Sequence, residues 1–387
     1  MRILYYSSSP ECTTGYGNVA REVIRRLKEA GHFVRVGTKH WMTEFRTMGD
    51  GTEIFEGTDI GIINQMVEQE GFDWLISYFD IWLLDGKRRF PKDKWLAIVP
   101  IDTELVQQGI LRVAADAGML AACARHGERE LRAAGLEPWY MPLGVRCDHF
   151  YPKSEGRSAW RAEFGLTDEN FVVGSVGLNY GDDRKGFIPL MRAFKSLHER
   201  HPGARLYLHT LANERRQASN ALPYFDIAQD MGIGDWLIWS NQLATQLGRI
   251  DTEWLTDSYC GIDVFCLPTK GEGFGLPIIE AQACGTPVVT TATTTGPELT
   301  SPSGGWLIPT TEDDLRWLPG GGWRHEVRPA AILARLEEAW EAWSGGNGDW
   351  DERKTTARTF AERYSWDAVW PTYWEPVIAE MERRLER

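Results

Sequence analysis

The chain has 387 residues, of which 43% are hydrophobic and 25% charged, and its formal net charge is −13. This composition is ordinary for a globular protein, so it excludes a disordered chain, a coiled coil and a collagen-like chain. At about 150 residues per domain, the length suggests two or three domains. The acidic balance argues against a general polyanion-binding protein, because contacts to phosphate backbones need clustered Lys and Arg.

Cysteine spacing and hydropathy indicate the cellular compartment in which the protein is expected. The six cysteines form no CxxC pair, which disfavours a zinc site or a disulfide framework and indicates reduced thiols in a cytosol. The apolar run near the N-terminus is too short for a signal peptide, and no stretch approaches ~18 apolar residues. We therefore expect a cytoplasmic protein with no transmembrane segment.

Strand-like and helix-like segments alternate along the first part of the chain, which predicts α/β layers on a parallel sheet. The predicted strands are Ile3–Ser7, Phe33–Val36, Asp73–Tyr78, Trp95–Val99 and Met119–Cys123, and the predicted helices are Asn18–Ala30 and Arg125–Ala134.

The same alternation starts again after residues 152–156, a polar Pro/Gly segment that marks the predicted domain boundary. We thus predict two doubly wound, Rossmann-like domains that face each other across a cleft. The predicted strands of the second domain are Phe171–Val176, Arg205–His209, Trp236–Trp239, Val264–Leu267 and Val288–Thr290, followed by a helix near Pro329–Trp343 and a helical tail from Trp366.

The most informative segment is a glycine loop between a predicted strand and a predicted helix, KGEGFGLPIIEA at residues 270–281. Pro277 suits a first helical turn, so the backbone N–H groups just before it gather at a helix N-terminus, where an anion is favoured. The residues that supply these groups are Gly273, Phe274, Gly275 and Leu276.

Two carboxylates belong to this segment. Glu272 lies just before the helix and Glu280 about one turn inside it, so both can face one cleft. A carboxylate only accepts hydrogen bonds, which suits it to the vicinal hydroxyls of a ribose or a hexose. The alternative, a capped and solvated helix, does not require a GEGFG loop and a second glutamate at this spacing.

The two glutamates, with seven residues between them, resemble the E-x7-E motif of GT-B glycosyltransferases, in particular the retaining glycosyltransferase family 4. The resemblance covers most of the chain. Further segments that resemble the family are Val264–Thr269, Pro287–Thr290, Gly296–Glu298 and Tyr364–Asp367. It implies an acceptor-side domain over residues 1–152 and a donor-binding domain over residues 153–371. It also implies that a C-terminal helix, about 372–387, packs back on the first domain.

The resemblance implies roles for both glutamates. Glu280 would hold the ribose of the nucleotide. Glu272 and the glycine-loop amides would hold the donor sugar and its phosphate, which makes Glu272 a catalytic candidate.

A second loop, residues 177–186, follows the first strand of the second domain and carries Arg184 and Lys185. Taken alone, such a pair is usually solvent-exposed. The resemblance implies that it binds the diphosphate, and fixed cations aimed at a departing diphosphate lower the barrier to its release. The family often has an Arg at the start of this loop, where Leu178 and Asn179 stand. Asn179 is included among the donor-binding candidates.

The N-terminal glycines allow two interpretations. GYGNVA at residues 15–20 matches the dinucleotide fingerprint G-x-G-x-x-A. A nicotinamide site is nevertheless disfavoured, because no acid follows the second strand, where such a site needs one. Under the resemblance, Gly15 and Gly17 instead border the cleft near the donor phosphate and the acceptor.

Two further catalytic candidates lie in the first domain. Asp102 follows a strand at the carboxyl edge of the sheet, so it could bind the acceptor hydroxyl or the donor sugar, or it could cap a turn. His126 stands in a segment where the family has an aromatic residue, and it is either a cleft residue or a satisfied structural histidine. Arg146 replaces the usual Asp of the family's interdomain segment and could serve the cleft.

We expect no metal and no cofactor, the donor being a nucleoside-diphosphate sugar. No D-x-D follows a strand, and Asp182 and Asp183 adjoin the Arg-Lys pair, where they orient cations or face water. The resemblance implies metal-independent stabilisation of the leaving group and retention through same-face displacement, in which the leaving phosphate helps to deprotonate the acceptor.

The acceptor is left open as a glycan, lipid, protein, small molecule or modified DNA. Five basic residues occur between Lys87 and Lys94, and such a run could contact anionic lipid, polysaccharide phosphate or nucleic acid, or simply be a solvated loop. The basic run therefore allows a peripheral contact with such a partner through residues 87–94.

The leading hypothesis is a retaining glycosyltransferase that uses a nucleoside-diphosphate sugar. A DNA-modifying glycosyltransferase acting on a hydroxylated base is an alternative, opposed by the net charge and weakly favoured by the basic run. A sugar-nucleotide epimerase on a similar fold is disfavoured by the GEGFG loop and the glutamate spacing. A non-catalytic nucleotide-sugar-binding protein is disfavoured because both glutamates and the cation pair are present.

Overall fold

The chain folds into two compact units, Met1–Gly144 with Trp366–Arg387, and Val145–Ser365. The chain passes from one unit to the other after Gly144 and after Ser365, a few residues before the predicted boundaries at 152 and 371. The computed structural model describes residues 1–38, 46–56, 60–85, 90–179, 181–212, 221–246, 248, 250–318, 321–346 and 348–386.

The first unit is built on an eight-stranded sheet in the order β3-β4-β2-β1-β5-β6-β7-β8. Neighbouring strands are parallel except β3 and β4, which are antiparallel. The strands are β1 (Arg2–Ser7), β2 (Phe33–Thr38), β3 (Arg46–Thr47), β4 (Glu53–Glu56), β5 (Trp74–Tyr78), β6 (Trp95–Val99), β7 (Met119–Ala122) and β8 (Trp139–Tyr140).

Helices connect these strands, as the alternation of periodicities predicts. Every residue of β5, β6 and β7 is buried, which is typical of a parallel sheet covered on both faces. The helices are α1 (Gly15–Glu29), α2 (Ile60–Gln69), α3 (Gln108–Ala114) and α4 (Arg125–Ala133), with 3-10 turns at Ile81–Leu84 and Lys92–Lys94.

The second unit has a six-stranded parallel sheet in the order β11-β10-β9-β12-β13-β14. Its strands are β9 (Val172–Val176), β10 (Arg205–His209), β11 (Leu237–Trp239), β12 (Val264–Leu267), β13 (Val288–Thr291) and β14 (Gly305–Ile308). Its helices are α5 (Ser154–Glu163), α6 (Phe187–Arg200), α7 (Tyr224–Asp230), α8 (Gln242–Gln246), α9 (Thr252–Gly261), α10 (Leu276–Ala283), α11 (Gly296–Leu299), α12 (Pro329–Ser344) and α13 (Asp349–Glu362).

The strand order of the second unit changes direction between β9 and β12, which are neighbours although the chain visits two other strands between them. In open parallel sheets, ligands bind outside the carboxyl ends of the strands at such a switch point. The loop after β9 carries Arg184 and Lys185, and the loop after β12 carries the GEGFG sequence. The topology therefore brings the two predicted motifs to one place.

A two-stranded antiparallel hairpin, β15 (Leu315–Trp317) and β16 (Trp323–His325), follows the sheet of the second unit. Trp317 pairs with Trp323 across the hairpin, and both rings are exposed. The sequence did not predict this hairpin, because strands of three residues show no clear alternation.

The C-terminal segment consists of α14 (Trp366–Val369), a π turn (Trp370–Trp374) and α15 (Glu375–Leu385). It belongs to the first unit, where Trp74 Nε1 donates to the Met381 carbonyl at 3.1 Å and Trp374 Nε1 donates to the Pro142 carbonyl at 2.8 Å. The tryptophans of this segment, Trp366, Trp370 and Trp374, are buried.

No helix within the described parts of the chain is both long enough and apolar enough to span a membrane.

Candidate functional site

The two loops at the switch point of the second unit are joined through their backbones. The Arg184 carbonyl accepts hydrogen bonds from the Lys270 N–H at 2.8 Å and from Thr269 Oγ1 at 3.2 Å. In return, Arg184 Nη1 donates to the Gly271 carbonyl at 2.8 Å. These reciprocal bonds fix the Arg-Lys pair beside the glycine loop.

The close approach of the two loops explains why residue 186 is a glycine. Gly186 has φ +73°, and a Cβ atom there would lie 2.1 Å from the Pro268 carbonyl oxygen. Any other residue would force the loops apart. Gly186 therefore sets how near the cations come to the loop after β12.

Glu272 forms an ionic cluster with the cation pair, in which Glu272 and Lys185 are buried and Arg184 is half-buried. Lys185 Nζ lies 2.6 Å from Glu272 Oε1, and Arg184 Nη1 lies 3.8 Å from Glu272 Oε2. Burial by itself raises the pKa of the Glu272 carboxyl, but Lys185 and Arg184 more than offset it and hold that pKa below its ordinary value. Glu272 is therefore an ionised, hydrogen-bond-accepting group inside the protein.

A second buried cation, Lys270, lies beside this cluster in the glycine loop and was missed from the sequence. Its Nζ donates to the Asp182 carbonyl at 3.1 Å and to Glu326 Oε1 at 3.2 Å. Its position as the first residue of the glycine loop was the available signal.

The two aspartates before the cation pair have different partners. Asp182 Oδ1 accepts from the Arg184 N–H at 3.1 Å, so it fixes the backbone at the first residue of the cation pair. Asp183 neither orients a cation nor faces water. Its buried carboxylate caps α6, accepting from Phe187 N at 3.0 Å and Ile188 N at 3.1 Å, and from the Tyr224 hydroxyl at 2.7 Å.

The glycine loop ends at the N-terminus of α10. Gly275 occupies the N-cap position with φ +103° and offers no side-chain cap, and Pro277 is the second residue of the helix. Phe274 is buried and packs against the Tyr364 ring, with 6.2 Å between centroids. Gly273 and Leu276 are half-buried, so the loop backbone lies near the surface at the start of the helix.

Glu280 lies on α10 and is 8% exposed. Its Oε2 accepts a hydrogen bond from the Tyr259 hydroxyl of α9 at 2.9 Å. Burial raises the pKa of Glu280 to about 7, and the hydrogen bond from Tyr259 opposes that rise. Tyr259 is a partner that the sequence did not reveal, because it precedes Glu280 by a full strand and loop.

The Asn179 side chain is engaged within the protein. Its Nδ2 donates to the carbonyls of Leu211 at 2.8 Å and Leu222 at 2.7 Å, and its Oδ1 accepts from the Leu222 N–H at 2.9 Å. Asn179 therefore fixes the two ends of the segment between those residues.

Four predicted residues belong to the first unit. Gly15 is the exposed first residue of α1, and Gly17 is buried beneath the loop that precedes the helix. A Cβ atom at Gly17 would lie 2.3 Å from the Cys12 carbonyl oxygen, which explains this glycine by packing. Asp102 is half-buried and follows β6 at the carboxyl edge of the sheet.

His126 is buried at the start of α4, and both of its ring nitrogens are engaged. Nε2 lies 2.8 Å from the Thr103 carbonyl, which can only accept, so Nε2 carries the proton. Nδ1 then accepts from Arg129 Nη2 at 2.8 Å. The ring therefore supports the loop that carries Asp102.

Two other basic features can be placed in part. Arg146, in the second unit, pairs with Asp148 Oδ2 at 3.1 Å and also contacts His149. Of the basic run, Lys92 and Lys94 form a 3-10 turn, and Lys94 Nζ donates to the Phe72 carbonyl at 3.2 Å. Lys87, Arg88 and Arg89 lie outside the described residues.

Across the described ranges, no group of three or more His, Cys, Asp or Glu side chains could hold a metal ion.

Comparison with known proteins identifies the part of the chain that holds the ionic cluster. The family described as glycosyl transferases group 1 matches residues 170–316. Residues 170–316 form a glycosyl transferase group 1 domain. This domain contains Arg184, Lys185, Glu272 and Glu280, and it lies entirely within the second unit.

A curated relative is the D-inositol 3-phosphate glycosyltransferase of Corynebacterium jeikeium. It is 32% identical over 155 residues, which cover 40% of this chain and 35% of the relative. The chain spans between 35% and 63% of the length of the first three curated relatives it matches. The similarity in sequence therefore falls on part of those proteins.

Solved structures match the group 1 domain and the rest of the chain together. Sucrose-phosphate synthase from Thermosynechococcus elongatus has a TM-score of 0.74 at 17% identity and covers 100% of this chain and 99% of its own. Anabaena HepE, solved with UDP and glucose, has a TM-score of 0.70 at 17% identity and covers 98% and 100%. The fold is GT-B, which confirms the predicted pair of Rossmann-like domains.

Proposed function

We propose that the chain is a glycosyltransferase that moves a sugar from a nucleoside-diphosphate sugar to an acceptor hydroxyl, with retention of the anomeric configuration. The observation that carries this proposal is the cluster of buried Glu272 and Lys185 with half-buried Arg184, beside the N-terminus of α10 at the switch point of a group 1 domain. Such a cluster presents cations and a hydrogen-bond acceptor to the same small volume.

The cations would bind the diphosphate. As the glycosidic bond breaks, the nucleoside diphosphate gains negative charge, and Arg184 and Lys185 stabilise it from fixed positions. The backbone N–H groups at the start of α10 add the partial positive charge of a helix N-terminus. These groups perform the role that a bound metal has in other transferases, so we propose a metal-independent reaction with no cofactor.

The carboxylates would bind hydroxyl groups. Glu280 accepts from the ribose of the nucleotide, and Glu272 accepts from the donor sugar while its charge is balanced by Lys185. In the first unit, Asp102 is the residue we propose to contact the acceptor hydroxyl, because it follows a strand at the carboxyl edge of the sheet.

The acceptor class that the relatives favour is an inositol phosphate, as in the name of the Corynebacterium jeikeium protein. The net charge of −13 argues against modified DNA as the acceptor. Hydroxylated bases differ in chemistry from an inositol phosphate, so they serve as a contrasting acceptor. An acceptor panel should therefore begin with D-inositol 3-phosphate and include hydroxymethylated duplex DNA.

The test is a transfer assay with UDP-, GDP-, ADP- and TDP-sugars against this acceptor panel. We expect one nucleotide class to support acceptor-dependent release of nucleoside diphosphate, an unchanged rate in EDTA, and a product whose anomeric proton coupling matches the donor. Inversion would contradict the proposed stereochemistry, and loss of activity in EDTA would contradict metal independence. If none of these donors is turned over in the presence or absence of acceptor, the donor chemistry proposed here is wrong.

A further inference from the structure

Thr294, in the loop after β13, has an unusual backbone conformation. Its φ is +45°, and Asp183 is the other non-glycine residue with positive φ in the described ranges. The Gly296 N–H donates to the Thr293 carbonyl at 3.0 Å, so Thr294 is the second residue of a tight turn. A β-branched residue rarely adopts positive φ, and strain of this kind persists where the surroundings require it.

The Thr294 side chain contacts the proposed donor site. Its Oγ1 accepts a hydrogen bond from the Glu272 N–H at 3.0 Å, and both residues are buried. Thr294 thereby holds the backbone of Glu272, while Lys185 holds the carboxylate at 2.6 Å. The hydroxyl connects the loops that follow two adjacent strands, β12 and β13.

Neighbouring threonines provide an internal contrast. Thr291 and Thr295 are also fully buried, but their Oγ1 atoms have no hydrogen-bond partner. Hydroxyl groups in this segment are therefore not all engaged, and the one at Thr294 is the one aimed at Glu272.

We propose that Thr294 is a positioning residue that directs Glu272 toward the donor sugar. This inference rests on the proposed function, because it assumes that Glu272 contacts the sugar of the donor. The strained turn supplies the hydroxyl at the distance where the Glu272 N–H needs an acceptor. Without it, the Glu272 N–H loses this acceptor and the backbone of Glu272 is less constrained, so the direction of the carboxylate depends on its ion pair with Lys185.

The test compares three variants. Thr294→Val keeps the shape and removes the hydroxyl, Thr294→Ser keeps the hydroxyl, and Thr295→Val removes a neighbouring hydroxyl that has no partner. We expect Thr294→Val to lower kcat by ~10-fold or more, since loss of one buried hydrogen bond has this order of effect on a positioned group. Binding of the free nucleoside diphosphate should stay within ~2-fold, because it does not use the sugar contact. Thr294→Ser and Thr295→Val should remain near the wild type in both measurements.

The inference is overturned if Thr294→Val transfers sugar like the wild type, if Thr294→Ser is equally impaired, or if nucleoside diphosphate binding falls in parallel with kcat. Amide hydrogen exchange supplies a readout that does not need activity. Thr294→Val should speed exchange in a peptide that contains the Glu272 N–H, and Thr295→Val should not. If the wild type binds no nucleotide and transfers no sugar, the proposed function fails, while the exchange result still decides whether Thr294 holds Glu272.

Discussion

The predicted site residues of the two units differ in what their side chains do. In the second unit, Lys185 and Glu272 are buried and face each other across two loops, with Glu280 buried nearby on α10. In the first unit, Gly17 is explained by packing, and His126 has both nitrogens engaged. Buried ionic groups are costly to desolvate, so their presence indicates a chemical role more strongly than a satisfied histidine does.

The largest effect is expected from Lys185→Ala. It leaves Glu272 as a buried charge with weaker compensation, so the free energy of unfolding should fall by about 3–5 kcal/mol. Donor turnover should fall by ~1,000-fold, as for loss of one strong stabilising group of a transition state. Urea unfolding and steady-state kinetics measure the two effects.

Lys153→Ala is the matched control, because Lys153 forms ion pairs with Glu253 and Asp257 outside the ionic cluster. The double variant Lys185→Met/Glu272→Gln removes both charges and should recover most of the stability without recovering turnover. Recovery of turnover in the double variant would contradict the assignment of this cluster.

Glu280→Gln should change the free energy of unfolding by a smaller amount, and this change should depend on pH. The folded-state pKa of Glu280 is about 7, above its ordinary value of 4.5, so the ionised carboxylate lowers stability as pH rises between these values. The variant should therefore be more stable than the wild type at pH 8, by on the order of 3 kcal/mol, and the difference should vanish near pH 4.5. Thermal unfolding across this range measures it.

The affinity for a nucleotide sugar should change with pH in the opposite direction to the stability. Ribose hydroxyls donate to the ionised carboxylate, so the affinity of the wild type for a nucleotide sugar should rise from pH 6 to pH 8. Burial keeps the pKa of nearby Cys284 well above its usual value, so that thiol stays neutral in this range. In Glu280→Gln the affinity should be weaker and flat with pH. A wild-type affinity that does not change with pH would argue against contact between Glu280 and the ribose.

The smallest effect on chemistry is expected in the first unit. His126→Ala removes the partner of the Thr103 carbonyl and should lower the free energy of unfolding by about 1–3 kcal/mol. Turnover per folded molecule should stay within ~3-fold. A loss of ~100-fold in kcat at unchanged stability would instead make His126 a reacting group and remove the contrast between the two units.

The elements that locate the site were predictable because their signals are local. β12 and β10 have the predicted bounds, and the change of periodicity around the GEGFG loop located the N-terminus of α10 to within a residue or two. The meeting of the two loops followed from parallel topology, since the carboxyl ends of neighbouring strands share one edge.

The residues that the sequence did not reveal act through long-range contacts. Lys270 reaches Asp182, Tyr259 reaches Glu280, and Thr294 reaches Glu272, each from another loop or element. No spacing rule joins such residues, because their proximity is created by the sheet. The contact between His126 Nε2 and the Thr103 carbonyl is a tertiary feature of the same kind, whereas Arg129 contacts Nδ1 from within α4.

The most direct test of the central claim is calorimetric titration of the nucleotide sugar identified by the donor panel into the wild type, Lys185→Ala and Lys153→Ala. We expect saturable binding by the wild type and by Lys153→Ala, and a loss of ~100-fold or more in affinity for folded Lys185→Ala. Equal affinity in all three proteins would show that the diphosphate binds elsewhere and would contradict the assignment of the site to the loops after β9 and β12.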